Sequence, residues 1–98
     1  MALYVGTELK FQLDITSEGF SMADDDFMVV ISNHSKKMEI KKEDMILDEN
    51  EHYLFTIDTA FFGSGDYMIT TYAYVPDEDF DDGIRTEVQK QVLCQVKL

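Results

Sequence analysis

Apolar and polar residues alternate with period two through most of the chain, in short runs divided by acidic and glycine-bearing turns. Successive side chains of a strand point to opposite faces, so each run predicts a strand with one dry and one wet face. Leu9, Phe11, Leu13 and Ile15 alternate with Glu8, Lys10, Gln12 and Asp14 in the first. Phe27, Val29 and Ile31 begin the second, with Met28 and Val30 on its other face. Such an unbroken apolar stretch predicts a central strand covered on both sides, or one face meeting a partner. Asn33-His34-Ser35 reads as a turn, because asparagine tolerates left-handed backbone geometry. Met38 and Ile40 then alternate with Lys37, Glu39 and Lys41, a short run charged as edge strands often are.

Tyr53, Phe55 and Ile57 predict a fourth strand. In a long fifth one, Tyr67, Ile69, Thr71, Ala73 and Val75 oppose Met68, Thr70, Tyr72 and Tyr74. Pro76 lacks an amide donor and should end that ladder. In the last run Ile84, Thr86, Val88, Val92, Cys94, Val96 and Leu98 share one parity, interrupted only by Lys90. That parity is expected to form one wall of the core. Helix is expected only as a single turn within residues 42–47, too short to stand alone.

The pattern predicts an all-β chain: one domain over residues 1–98, an antiparallel two-sheet sandwich of about six to seven strands. Gly65-Asp66-Tyr67, at the entry to a late long strand, is similar to the corner tyrosine of immunoglobulin-like domains. That form is therefore expected, although the Cys and Trp marks of antibody domains are absent. With 45% hydrophobic residues, a chain this size buries roughly 60–65% of its unfolded surface, enough for a core without staples.

Eight basic against 20 acidic residues leave a net charge of −12. A field of that sign repels phosphate backbones and anionic lipid, so neither nucleic acid nor membrane is an expected partner. The lone Cys94 excludes an internal disulfide and is expected to pack as a small hydrophobe. Residues 1–6 carry no basic leader or long apolar stretch, so synthesis in the cytoplasm without a signal peptide is expected.

Candidate chemistry centres on Asp77-Glu78-Asp79-Phe80-Asp81-Asp82-Gly83. Asp77, Asp79 and Asp81 have the alternate spacing that lets carboxylates converge on a hard cation. The glycine then falls one place late, and Val88 stands where a closing glutamate would be needed. A solvated acidic turn is the preferred reading, and a cation- or carbohydrate-binding module using residues 77–82 is the alternative. His34 and His52 fall in predicted turns without metal-ligand spacing. Ser64, between Gly63 and Gly65, lacks a nucleophile elbow. No catalytic residue, resident metal or cofactor is expected. Tyr72 and Tyr74 on one side of the fifth strand, with Phe80 in the loop, are the candidate interface residues.

Two segments carry a resemblance: Gly6-Thr7-Glu8-Leu9-Lys10-Phe11 and Val75-Pro76-Asp77-Glu78-Asp79-Phe80-Asp81-Asp82-Gly83-Ile84-Arg85-Thr86-Glu87-Val88. They resemble small, mostly uncharacterised β-sandwich proteins of prophage-like regions in gut bacteria, near tail or baseplate components. The resemblance implies a non-enzymatic structural role, a protein partner, incorporation into a phage-like particle and a contact function for the acidic loop. Self-association, if present, is expected through the last strand between Gln91 and Val96 or through the Tyr72–Tyr74 face.

Overall fold

The computed structural model describes residues 2–98. Among the described residues eight strands form: β1 (Leu3–Tyr4), β2 (Glu8–Leu13), β3 (Phe27–Ser32), β4 (Lys37–Lys41), β5 (Ile46–Leu47), β6 (Tyr53–Asp58), β7 (Gly65–Pro76) and β8 (Ile84–Lys97). One sheet has the order β1-β8-β7-β3-β4 and the other β2-β6-β5. Every expected run is a strand, and the chain is all-β in two sheets. The count exceeds six to seven because β1 and β5 are two residues each, too short to show an alternation. All pairings are antiparallel except β1 with β8, which is parallel.

Both sheets feed one core. Val29 and Ile31 of β3, Ile40 of β4, Tyr67 and Ile69 of β7 and Val96 of β8 meet Phe55 and Ile57 of β6. Leu9, Phe11 and Leu13 of β2 pack against that cluster as their alternation requires. β4 lies at a sheet edge, as its charged face predicts, and β3 lies between β4 and β7. The five-stranded sheet curls as a half-barrel.

Helical turns form in two places, of which the sequence predicts the first. Residues Lys42–Asp44 make only a 3-10 turn, while Thr59–Phe62 form a four-residue α-turn, α1. Asp58 caps it by accepting the Ala60 amide at 2.9 Å, and Gly63 ends it with φ of 84°. One turn is too short for a helical period to show in the sequence. The turn is tied down from both sides. The Thr59 hydroxyl donates to the Thr7 carbonyl at 2.8 Å and accepts the Gly6 amide at 2.9 Å. From the first residues of β7, the buried Tyr67 hydroxyl donates to the Gly63 carbonyl, and the Thr59 carbonyl lies 3.3 Å away.

β8 departs most from expectation. Its apolar parity does not form one wall of the core. Ile84 is 41% exposed, Val88 51% and Val92 68%, whereas Val96 is 2% exposed. The pairing with β7 steps from Tyr67↔Cys94 to Met68↔Val92, leaving Leu93 as the extra residue of a β-bulge. One inserted residue exchanges the two faces, because the side-chain period is two. Cys94 and Val96 therefore face inward, and Ile84, Val88 and Val92 face outward. Leu98, on the same sequence parity, is 94% exposed past the end of the strand.

The β7–β8 hairpin also outruns the smaller sheet, whose strands have six residues or fewer against its twelve and fourteen. The molecule measures 47 × 31 × 20 Å. Its radius of gyration is 14.9 Å, against about 13 Å for a compact chain of this length. Residues 17–19 lie on the inner side of the overhang, Gly19 beside Val75. There the Arg85 guanidinium donates to the Glu18 carbonyl at 3.2 Å, and the Ser17 hydroxyl donates to Glu87 at 2.6 Å.

Candidate functional site

The outer face of the five-stranded sheet is built from residues whose register places them side by side. Tyr72 of β7 lies between Met28 of β3 and Val88 of β8. Met68 lies between Ser32 and Val92, Thr70 between Val30 and Lys90, and Tyr74 opposite Thr86. Directly opposed residues of an antiparallel pair share a face, so these side chains form one contiguous surface. Tyr72, Tyr74, Met28, Val30 and Met68 are half-buried in it, and Ile84, Val88 and Val92 stand out from it. β4 supplies a charged border of Lys37, Glu39 and Lys41.

Both tyrosines thus occupy the exposed side of β7 that the alternation assigns them, with Tyr67, Ile69, Ala73 and Val75 buried behind. Ile84, Val88 and Val92 were not legible as surface residues, since apolar alternation alone reads as core. The signal that could have found them is Lys90, a charge on the apolar parity that a core wall would not carry.

The acidic loop is closed by its own backbone. The Asp77 amide bonds the Gly83 carbonyl at 2.9 Å, and the Gly83 amide bonds the Phe80 carbonyl at 2.9 Å. Its carboxylates hold this geometry. Asp77 accepts the Asp79 amide at 3.1 Å and takes Arg85 Nη1 at 2.6 Å, and Asp82 accepts the Ile84 amide at 3.0 Å. Arg85 Nη2 also reaches Glu87 at 3.2 Å. The hydrogen bond to Asp77 is the main reason the Arg85 guanidinium is held even more firmly protonated. Glu87 is held below the usual carboxylate range, first by the Ser17 hydroxyl and then by Arg85. Asp77, Asp79 and Asp81 are not gathered: among the described residues no three His, Cys, Asp or Glu side chains converge as ion ligands. Phe80 is 47% exposed in this loop.

The remaining candidates are separate. His34 is exposed in the β3–β4 turn, and His52 pairs with Asp48 at 3.3 Å near the start of β6. Ser64 serves the fold through its carbonyl, which accepts from the Asn33 amide group at 3.2 Å. Cys94 packs against the core, and burial raises its thiol pKa, so it stays a protonated hydrophobe. Among the described residues no helix is long and apolar enough to cross a membrane. No protein-family model, curated protein or solved structure matches this chain.

Proposed function

We propose that this chain is a non-enzymatic interaction module, an immunoglobulin-like sandwich that docks on a larger assembly through the outer face of its five-stranded sheet. One observation carries the reading. Ile84, Val88 and Val92 are exposed apolar residues on the face of Tyr72 and Tyr74, alternating there with Thr86 and Lys90, and Val88 lies directly opposite Tyr72. Tyrosines give large contact area at small entropic cost, and exposed apolar side chains beside them, mixed with the polar Thr86 and Lys90 and bordered by the charges of β4, suit a protein-binding surface.

The immunoglobulin-like assignment draws support from three features. They are the order β1-β8-β7-β3-β4 against β2-β6-β5, the parallel β1–β8 pairing, and a tyrosine at the β7 entry bonded four residues back. The resemblance of segments 6–11 and 75–88 supports a place in a phage-like tail or baseplate. Gradient fractionation of particles from producing cells tests this directly. The chain should sediment with them, and a Tyr72→Ser, Tyr74→Ser variant should remain at the top. A wild-type chain that never enters the particle fraction, or a locus without tail or capsid genes, would remove that reading.

A further inference from the structure

β7 covers one side of β8 along its length, but the other side of β8 is open. β1 reaches only Val96 and Lys97, with the Val5 amide donating to the Lys97 carbonyl. The Asp77 amide bonds the Gly83 carbonyl, and the Tyr74 amide turns away from β8 to Asp26. These two bonds fix the phase of the ladder. Backbone groups alternate toward and away from the partner, so those of Thr86, Val88, Lys90 and Val92 point to the open side. No other backbone group meets them among the described residues. The open edge starts beyond the acidic loop, where Asp82 caps the Ile84 amide, and ends at the Leu93 bulge. Val88 is its midpoint.

A long unpaired edge is a template for another strand unless it is short, bulged or guarded by free charge. Here the stretch from Ile84 to Val92 precedes the bulge. Arg85 and Glu87 turn to the inner face, where they bond each other, Asp77 and Ser17, and Lys90 is the one charged side chain on the outer face of that stretch. We propose that a second copy of this chain completes the edge, β8 pairing antiparallel with β8 about a two-fold axis at Val88. This would join two five-stranded sheets into one.

Register decides for a second copy. With the axis at Val88, that residue faces its own counterpart, Thr86 faces Lys90 and Ile84 faces Val92 of the other copy. On the inner face Glu87 meets Gln89, and Arg85 meets Gln91. No like charges are opposed, and each exposed apolar residue of the row gains an apolar partner. An axis at Glu87 or Lys90 would set a charge against itself. An axis at Thr86 or Gln89 would leave part of the apolar row against the loop or against a lysine. Opposed like charges destabilise a strand pair and apolar β-branched pairs stabilise it, so the Val88 axis wins. Each copy carries −12, so their mutual repulsion weakens as salt screens it. Tyr72 and Tyr74 stay open in such a dimer, and Ile84, Val88 and Val92 remain on the same outer face beside their counterparts, so pairing at the edge requires no foreign partner.

Sedimentation of the purified chain across a concentration series tests the proposal. The wild type should pass from monomer to dimer, at lower protein concentration in higher sodium chloride. Val88→Pro removes one outward amide without touching a bond to β7, and Val88→Lys sets two ammonium groups face to face. Both should remain monomeric with unchanged circular dichroism, while Tyr72→Ser, Tyr74→Ser should still dimerise. Register is read separately in a Cys94→Ala background. Glu87→Cys with Gln89→Cys places thiols at a non-hydrogen-bonded pair, with Cα atoms about 4.5 Å apart, within disulfide reach. Oxidation should link that variant into a covalent dimer and leave Gln89→Cys alone monomeric. A wild type that stays monomeric throughout overturns the proposal and leaves the edge to a strand of another protein. A dimer indifferent to Val88→Lys, or cross-linking by Gln89→Cys alone, overturns it as well.

Discussion

Tyr67 shows how much one side chain can fasten. It is fully buried, packs 5.2 Å ring to ring with Phe62, and its hydroxyl closes the corner between α1 and β7. Tyr67→Phe keeps the ring but leaves the Gly63 carbonyl without its donor. The expected cost is about 1–3 kcal/mol, read as a lower denaturant midpoint with unchanged slope. A midpoint equal to wild type would show that the ring alone holds the corner. Glu87 is a second residue with a measurable signature. Its folded-state pKa is depressed, first through the Ser17 hydroxyl. The stability it contributes is therefore present above its unfolded value, about 4.3, and is lost as pH falls through the folded value. Glu87→Gln should be less stable than wild type at neutral pH, and the gap should close on acidification. A gap that stays constant from neutral to acid pH would mean that the carboxylate charge is irrelevant there.

At the scale of the element, β8 is one strand with two environments. Its first half is an overhang whose apolar residues face out, and its last residues belong to the core, with the Leu93 bulge between them. The same substitution on the two halves separates these environments. Val96→Ala removes buried methyls from a packed site and should cost about 2 kcal/mol. Val92→Ala takes similar atoms from solvent and should change stability by less than about 0.5 kcal/mol. Equal costs in thermal or denaturant unfolding would contradict the exchange of faces at the bulge. For Val92→Ala the comparison belongs at protein concentrations where the chain is monomeric, because that residue also lies on the proposed β8 contact.

For the whole molecule the deciding quantity is charge. A net −12 destabilises the compact state through self-repulsion, and added salt should relieve it. Calcium would do more only if the acidic loop held it, and Asp77 is already engaged by Arg85 and the Asp79 amide. Calcium chloride and sodium chloride of matched ionic strength should therefore raise the melting temperature alike. A calcium-specific rise, abolished in Asp79→Ala, would restore the cation-binding reading.

Secondary structure was legible because strand alternation is a local property. β2, β3, β4, β6 and β7 lie where their period-two runs put them, and the buried parity of β7 is the one its residues announce. Tyr72 and Tyr74 followed from that parity without any tertiary information. What only the tertiary structure decided is which apolar runs meet another layer. Ile84, Val88 and Val92 read as core because sequence records hydrophobicity, while burial depends on whether a second sheet lies opposite. The smaller sheet is too short to cover the hairpin, and the Leu93 bulge turns this row to the outside. The roles of the acidic loop were also beyond the sequence. Asp77 meets Arg85 across the β7–β8 connection, and Ser17 meets Glu87 across 70 positions, contacts that exist only once the hairpin and the loop over it have closed.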